Sequence, residues 1–272
     1  MHQILEQFNT GLPFPSVFPE NFVKEFPHCD HFSFRNLDHF RHVVSKLTQK
    51  QDDNCNMSYQ EALRKLIAGE GDFPEAEQMD IRDRVRKNLH RRGLITSEIY
   101  EAYRYTVDGK TVTVDVGKYS AGEPDCILSP AVDYIDFFYE LYVSASYPYY
   151  VTNSQIRTTC ARLLAAIEEL ERQHIYIKVA AVCPIRSPTA NNNFFADIPL
   201  FSHKQPKDVN MMSAVVNDRL LRKFIFAMLE DFYDDRLRSS YGLAVDMKGA
   251  LNLGKEFDEA DWFESVVAAV GL

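Results

Sequence analysis

The chain has 272 residues, of which 46% are hydrophobic and 25% are charged, and its formal net charge is −9. These values are those of a globular protein with a sizeable core, so they exclude a disordered or fibrous chain. The acidic balance also argues against non-specific binding of nucleic acid or membrane by the whole surface, although a local basic patch can override it.

The cysteine pattern and the hydropathy indicate the cellular compartment. The five cysteines are odd in number, widely spaced and without a C-x-x-C pair, which predicts reduced thiols and not a disulfide framework. The first residues lack the basic and apolar regions of a signal peptide. No apolar run reaches the roughly 20 residues that a membrane helix needs. We therefore expect a soluble protein of the cytoplasm that does not enter the membrane.

Residues 1–96 are predicted to form a helical N-terminal region that begins with a Pro/Phe-rich arm. In the arm, Pro13, Pro15, Pro19 and Pro27 alternate with phenylalanines. Prolines at this density interrupt both helices and strand ladders. The arm is therefore predicted to be an irregular segment that packs onto the surface of a protein.

Three helices are predicted after the arm. Asn36 is a candidate N-cap of the first helix, and Ser58 with Glu61 forms a capping box for the second. Gly69 is expected to end the second helix, and Pro74 suits the first turn of the third.

The pattern changes after residue 96, where a period of two replaces the helical period. Residues 99–107 and 110–116 are rich in β-branched and aromatic side chains, and they flank Asp108-Gly109. Asp-Gly between two such runs is typical of a two-residue hairpin turn. We therefore predict a β-hairpin at the start of an α/β domain that spans residues 97–272.

The centre of that domain reads as a strand, a helix and a second strand. Residues 134–143 and 175–183 are nearly continuous apolar runs, which is typical of buried strands. Residues 153–173 between them carry apolar side chains at helical spacing. A crossover of this length makes the two strands parallel. The predicted fold class is α/β, with a helical N-terminal region, a β-hairpin and a three-layer α/β core that contains at least one parallel strand–helix–strand unit.

The remaining part of the chain is predicted to contain a loop and C-terminal helices. Pro184 is expected to end the second core strand, and residues 186–207 are rich in proline and asparagine, which predicts a long polar loop. A helix is expected to begin at Asn217 or Asp218, and a last one is predicted over residues 258–270.

The loop after the first core strand carries Ser144 and Ser146 in the pattern x-S-x-S, followed by the long helix. This arrangement resembles the metal-ion-dependent adhesion site of von Willebrand factor A domains, whose motif is D-x-S-x-S. The resemblance implies a ligand site at the carboxyl end of the strand, where a hard divalent cation requires a carboxylate. Tyr142 stands in place of that aspartate, so we expect a degenerate metal-site loop. We accordingly expect no metal and no cofactor, with a divalent cation as the alternative.

A wider set of motifs includes V-x-G-x-x-V-x-V-D-V-G-x-Y-x-x-G-E-P-D-C over residues 107–126 and the run at residues 217–230. Together with the core unit, these motifs resemble an uncharacterised family of phage-encoded proteins. The resemblance implies a phage or prophage origin and a location in the host bacterial cytoplasm. It implies no catalytic residue.

Residues 82–92 form a basic stretch. Its six basic side chains are Arg82, Arg84, Arg86, Lys87, Arg91 and Arg92. Such a run can neutralise several phosphates of a nucleic acid. Ile81, Val85 and Leu89 repeat at helical spacing along the same stretch, and an amphipathic helix places its charges outside in any case. A solvated face, a protein contact and a nucleic-acid contact therefore remain alternatives.

A metal-dependent nuclease is a further alternative. Glu123-Pro-Asp125 supplies a "PD" dipeptide, and Asp115, Asp133 and Asp136 are nearby carboxylates in the sequence. Two-metal cleavage of a phosphodiester needs several carboxylates that converge on paired cations. The strand that follows has Tyr142 where such nucleases have a lysine.

The leading functional hypothesis is a phage-encoded intracellular adaptor that is not an enzyme and acts through protein–protein contacts. It rests on the lack of a complete catalytic motif and on the 19 Phe and 14 Tyr, since aromatic side chains are enriched at protein interfaces. The candidate contacts are the arm together with Tyr147, Tyr149 and Tyr150. The alternatives are a nucleic-acid-binding protein, with or without nuclease activity, that uses residues 82–92, and a component of the virion.

Overall fold

The structure is a computed structural model of the chain. It describes residues 29–47, 57–93, 103–106, 113–114, 116–122, 127–130, 136–147, 151–186, 193–233, 243–244 and 250–254. The strands are β1 (Cys29–Ser33), β2 (Tyr103–Thr106), β3 (Thr113–Val114), β4 (Ile127–Pro130), β5 (Phe137–Ser144), β6 (Ile175–Arg186), β7 (Asn193–Phe201), β8 (Leu243–Ala244) and β9 (Leu251–Asn252). The helices are α1 (Leu37–Val44), α2 (Tyr59–Ala68), α3 (Glu75–Arg91), α4 (Val116–Ser120), α5 (Asn153–Glu171), α6 (Val209–Val216) and α7 (Asp218–Tyr233).

The main sheet contains both parallel and antiparallel pairs. Its strand order is β1-β7-β6-β5-β9, and β8 pairs with the end of β6. β5 is parallel to β6 and to β9, and β1 is parallel to β7. β6 and β7 are antiparallel. This mixed sheet with its packed helices confirms the predicted α/β class.

β5, α5 and β6 form the predicted strand–helix–strand unit. The two strands pair in parallel, and the pairing begins with Phe137 opposite Ile175. α5 begins with a capping box, in which Thr152 Oγ1 accepts a hydrogen bond from the Gln155 N–H and the Gln155 side chain accepts one from the Thr152 N–H. Because the box satisfies two amides that have no partner inside the helix, it explains the start of α5 at residue 153.

One face of the main sheet is covered by helices. Alternate side chains of β6, among them Ile177 and Val179, join a single buried cluster with Leu163 of α5, Phe40 of α1 and Phe224 of α7. α3 packs against α5 from the outside and makes no comparable contact with a described strand. The main sheet, α5 and α3 are therefore three successive layers.

The three helices predicted in the N-terminal region are present as α1, α2 and α3. Asn36 Oδ1 accepts a hydrogen bond from the His39 N–H at 2.8 Å at the start of α1. Ser58 Oγ accepts one from the Glu61 N–H at 3.2 Å at the start of α2. α2 ends at Gly69, whose φ of +68° is easily reached by glycine. The N-cap at Asn36, the Ser58 half of the predicted capping box and the helix end at Gly69 are confirmed.

The loop predicted over residues 186–207 is wrong, because residues 193–201 form strand β7 in the middle of the main sheet. Phe194, Ala196 and Ile198 of β7 are buried in the cluster, and the intervening Phe195 and Asp197 are buried as well, so both faces of the strand are covered. Pro199 obscures this pattern in the sequence. It lies at a register shift between β6 and β7, where an irregular ladder tolerates the missing N–H.

The prediction that Pro184 ends β6 is also wrong, because β6 continues to Arg186. β5 pairs with β6 only as far as Val182. Pro184 therefore lies beyond the stretch where β6 has a parallel neighbour, and its missing N–H costs no bond to β5.

The predicted β-hairpin differs from the observed pairing. β2 and β3 belong to one small antiparallel sheet, but its order is β2-β4-β3, and each of the two pairs with β4. The prediction is wrong because β4, which follows both strands in the chain, lies between them. Asp108-Gly109 lies outside the described residues.

The described residues test only some of the remaining predictions. The predicted helix at Asp218 is confirmed as α7. Residues 1–28 of the arm, the predicted helix over residues 258–270, Tyr149 and Tyr150 lie outside the described residues. The division of the chain after residue 96 stays a prediction. Among the helices that the structure describes, none combines the length and the apolar character that crossing a bilayer requires.

Candidate functional site

The basic stretch of residues 82–92 is divided by an apolar seam. Ile81, Val85 and Leu89 are buried on the side of α3 that packs against α5. On a helix, the residue one position after a seam residue lies on one side of the seam, and the residues two and three positions after it lie on the other side. The basic residues of α3 therefore form two flanks. The two flanks face different parts of α5.

The first flank, which we call the paired flank, consists of Arg82 and Arg86. Arg82 lies 2.6 Å from Glu168, and Arg86 lies 3.6 Å from Glu169. Glu169 is only 5% exposed and is also bonded by Arg172 at 2.5 Å. Burial raises the pKa of Glu168, although the neighbouring Arg82 opposes the shift. The positive charge of this flank is therefore compensated inside the protein.

The second flank opens onto a groove of about 600 Å³, which we call the cationic groove. Its lining residues are Ile81, Arg84, Val85, Lys87, Asn88, Arg91, Arg92 and Arg162. Five of these eight side chains are cationic, and within the described part of the chain no acidic side chain lines the groove. The groove thus combines a narrow apolar floor with a dense positive rim.

Two of the groove cations are oriented by neighbours on α3. Arg84 lies 2.9 Å from Asp80, and both side chains are exposed. Arg91 Nη2 donates a hydrogen bond to Asn88 Oδ1 at 3.1 Å. An exposed ion pair of this kind contributes little and is easily exchanged, so an external anion can compete for Arg84. Charge-assisted bonds from guanidinium groups suit phosphate oxygens, which accept two parallel bonds.

Arg162 was missed in the sequence analysis. It lies on α5 and reaches the cationic groove from the opposite wall. Its sequence signal is weak, since it is one arginine in a helix whose residues are mostly buried. The packing of α3 on α5 is what brings it beside residues that lie 70 or more positions earlier in the chain.

The structure brings four of the six predicted basic residues together, at Arg84, Lys87, Arg91 and Arg92. Of the predicted tyrosines, Tyr147 is the one within the described residues. Tyr147 is fully buried, where it packs against Gly254, since a Cβ at that glycine would lie 2.7 Å from the Tyr147 Cβ. In this structure Tyr147 therefore belongs to the core.

The predicted metal-site loop is also enclosed. Ser144 and Ser146 are buried at the end of β5, and the Ser146 N–H donates to Ser144 Oγ at 3.4 Å. The hydroxyl of Tyr142 donates to Glu140 Oε2 at 2.7 Å. In the ranges that the structure describes, no group of three or more His, Cys, Asp or Glu side chains is arranged to hold a metal ion.

The face of the main sheet opposite α5 carries a second set of charges. Lys178 Nζ lies 2.8 Å from Glu140 Oε1. Asp197 is 8% exposed, and it accepts a hydrogen bond from Ser33 Oγ at 3.5 Å on Oδ2. Its Oδ1 has no hydrogen-bond partner among the described residues. Burial raises the pKa of Asp197 to about 6, against the pull of the Lys178 ammonium.

These features define an α/β protein with a mixed sheet, an outer helix and a cationic groove between that helix and the layer beneath it. The chain belongs to the family of the domain of unknown function DUF7192, whose model matches residues 22–267. The expected membership of an uncharacterised family is thus confirmed. No curated protein and no solved structure matches the chain significantly.

Proposed function

We propose that the protein binds the phosphate backbone of a nucleic acid in the cationic groove. The observation that carries the proposal is the convergence of Arg84, Lys87, Arg91, Arg92 and Arg162 on one groove without an acidic side chain in its described lining. Contacts to phosphates supply most of the affinity of sequence-independent binding. The groove is therefore suited to positioning a backbone.

The acidic character of the whole chain supports a localised contact. With a formal charge of −9, the surface as a whole repels a polyanion. Screening limits this repulsion to distances of about 10 Å at ordinary salt, so a dense local cluster can still bind. We expect the affinity to be moderate and to fall steeply as salt increases.

Fluorescence anisotropy with labelled single-stranded and duplex oligonucleotides tests the proposal. The variant Lys87→Gln/Arg91→Gln removes two charges from the groove, and Arg82→Gln/Arg86→Gln removes two from the paired flank of the same helix. If each lost cation releases about one contact, the groove variant lowers the slope of log Kd against log salt by about 1.5 to 2. The matched control leaves the slope unchanged.

Two results would contradict the proposal. One is the lack of binding by the wild-type protein even at low salt. The other is an equal loss of affinity in the groove variant and in the control, because net charge alone would then explain the effect. Thermal melting of each variant separates loss of binding from loss of folding.

Protein binding is a second proposed function, and the observation in its favour is a small exposed apolar surface on α4. Val116 is 71% exposed and Tyr119 is 68% exposed, and large apolar side chains on a surface are a feature of interfaces. An adaptor, a virion component, a phage origin and a location in the host cytoplasm belong to this proposal. Cross-linking in infected cells tests this proposal. It would be contradicted if Lys118 formed no cross-link to another protein.

We also propose that the core is a degenerate domain of the von Willebrand factor A type. The support is the parallel β5–α5–β6 unit with Ser144 and Ser146 at the carboxyl end of β5. Calorimetry with Mg²⁺ or Mn²⁺ tests whether this end of the strand holds a cation. Binding of either ion that requires Ser144 and Ser146 would contradict the degenerate site.

A further inference from the structure

A second cavity, of about 510 Å³, lies where α1 begins beside the end of β7. Pockets of this size hold small molecules. Its walls come from distant parts of the chain, which are the turn before α1, Lys178 of β6, residues 199–202 and Met211 of α6. The two cavities have no described lining residue in common, so this one, which we call the α1 pocket, is separate from the cationic groove.

The floor of the α1 pocket is apolar. Leu37, Leu200 and Phe201 line it and are almost fully buried. Pro199 and Met211 also line it, but they are only partly buried. A ligand that covers these two side chains removes further apolar surface from water, which favours binding. The pocket therefore suits a ligand with an apolar body.

Three cations belong to the described lining, and two of them already have an anion beside them. Lys178 Nζ lies 2.8 Å from Glu140 Oε1. Arg41 Nη1 donates to Asp38 Oδ1 at 3.2 Å, and Arg41 Nε donates to the carbonyl oxygen of Leu66 at 3.1 Å. These bonds fix both cations and compensate their charge.

Arg35 is the third cation of the pocket. Among the described residues, its guanidinium forms neither an ion pair nor a hydrogen bond. Its charge also acts on His39, whose pKa is lowered by burial and lowered further by Arg35. Because Lys178 and Arg41 are balanced, one positive charge of the described lining remains uncompensated.

Gln205 adds an uncharged donor to the lining. Its Oε1 accepts hydrogen bonds from the backbone N–H of Ser202 at 3.0 Å and from the Ser202 hydroxyl at 3.1 Å. An N–H can bond only the oxygen of the amide, so these contacts fix the orientation of the amide group. The Gln205 Nε2 group has no acceptor among the described residues and can donate to a ligand.

We propose that the α1 pocket binds a small organic carboxylate with an apolar body. The carboxylate accepts hydrogen bonds from Arg35 and Gln205, and the apolar body covers Pro199 and Met211. A guanidinium matches a carboxylate in geometry, since the two can form two parallel bonds. A carboxylate also carries a single charge, whereas a phosphate monoester carries roughly −1.5 to −2 at pH 7. The site goes beyond the proposed nucleic-acid contact and does not depend on it.

Hexanoate, hexyl phosphate and 1-hexanol test the proposal, because they share one alkyl chain and differ in the head group. Binding is followed in the spectrum of the protein with ¹³C-labelled methionine methyl groups, in which Met211→Leu identifies the Met211 signal. We expect hexanoate to shift that signal saturably and to bind about tenfold more tightly than 1-hexanol. The signal of Met79, which is 59% exposed on α3, should not move.

Three variants, each of which lowers the net charge by one, test the residues. Arg35→Gln removes the uncompensated charge. Gln205→Glu keeps an oxygen for Ser202 but replaces the amide donor with a carboxylate. Both side chains are exposed, and we expect each change to weaken hexanoate binding about tenfold. The control is Arg84→Gln in the cationic groove, which should bind hexanoate as wild type does. The response to 1-hexanol should be the same in all three variants, which shows that the pocket is intact.

Four results would overturn the inference. The site is wrong if hexanoate does not shift the Met211 signal of the wild type. The charge of the ligand is wrong if 1-hexanol binds as tightly as hexanoate, and the carboxylate is wrong if hexyl phosphate binds more tightly. An equal loss of hexanoate affinity in Arg35→Gln, Gln205→Glu and Arg84→Gln would show that net charge alone explains the effect.

Discussion

The two flanks of α3 carry the same kind of side chain but differ in what α5 places opposite them. Arg82 and Arg86 of the paired flank meet Glu168 and Glu169. The cationic groove on the other side meets Arg162. Carboxylates of α5 compensate the arginines of the paired flank, whereas the described lining of the cationic groove contains no acidic side chain, so the groove is better suited to bind an external anion. The partner helix thus decides what each basic residue of α3 can do.

Two buried carboxylates differ in the same way as the two flanks, and the largest effect is expected at one of them. Glu169 has cations beside it, but Asp197 is buried with one oxygen atom unpartnered among the described residues. Since the pKa of Asp197 in the folded protein, about 6, lies above the ~3.9 of an unfolded chain, the folded state binds the proton more tightly. This contribution to stability is fully present below about pH 4 and is lost as the pH rises through about 6.

Asp197→Asn should therefore remove this pH dependence of the free energy of unfolding. Relative to the variant, the wild type should lose about 1–3 kcal/mol of unfolding free energy between pH 4 and pH 7.5. Urea denaturation at the two pH values measures the difference, with Asp83→Asn on the exposed side of α3 as the control. An identical pH profile for the wild type and Asp197→Asn would show that the burial of this carboxylate has been misjudged.

A carboxylate placed in the cationic groove should make the groove resemble the paired flank. Arg162→Glu brings an anion to the wall opposite Arg84 and Lys87, where it competes with phosphates for them. We expect a loss of nucleic-acid affinity of about tenfold or more at low salt, which corresponds to about 1.4 kcal/mol. Anisotropy measures it, and Arg157→Glu on the same helix is the control. Unchanged affinity would remove Arg162 from the proposed interface.

The smallest effect is expected on the paired flank. Glu168 forms a short ion pair with Arg82, yet burial raises its pKa. The pKa is raised because the ion pair does not fully offset the desolvation of the carboxylate. Glu168→Gln should change the unfolding free energy at pH 7 by less than about 0.5 kcal/mol. A thermal melt that shows a larger loss would mean that the pair is a structural requirement.

Several local features of the fold could be predicted from the sequence because short-range chemistry determines them. Asn36, Ser58 and Gly69 begin or end helices through bonds within one turn of the chain. The parallel pairing of β5 and β6 follows from the length of the helix between them. The basic and apolar faces of α3 were likewise visible, since helical spacing alone separates them.

The remaining features depend on contacts between distant parts of the chain. β4 enters between β2 and β3 and replaces the predicted hairpin. β7 is an inner strand of the main sheet, even though the prolines of residues 186–207 predict a loop. The same holds for the candidate site. Nothing in residues 82–92 distinguishes Arg86 from Lys87, because the difference lies in Glu169 and Arg162 on another helix.

The sequence by itself determined the composition of a folded α/β chain, the helix ends and a stretch rich in positive charge. Only the tertiary structure decided which of those charges are compensated and that Phe138 lies exposed beside Tyr176. The physical reason is that charge compensation and stacking depend on distances between side chains. Such distances are set by the packing of α3 on α5 and by the strand register, and neither is encoded in the local pattern.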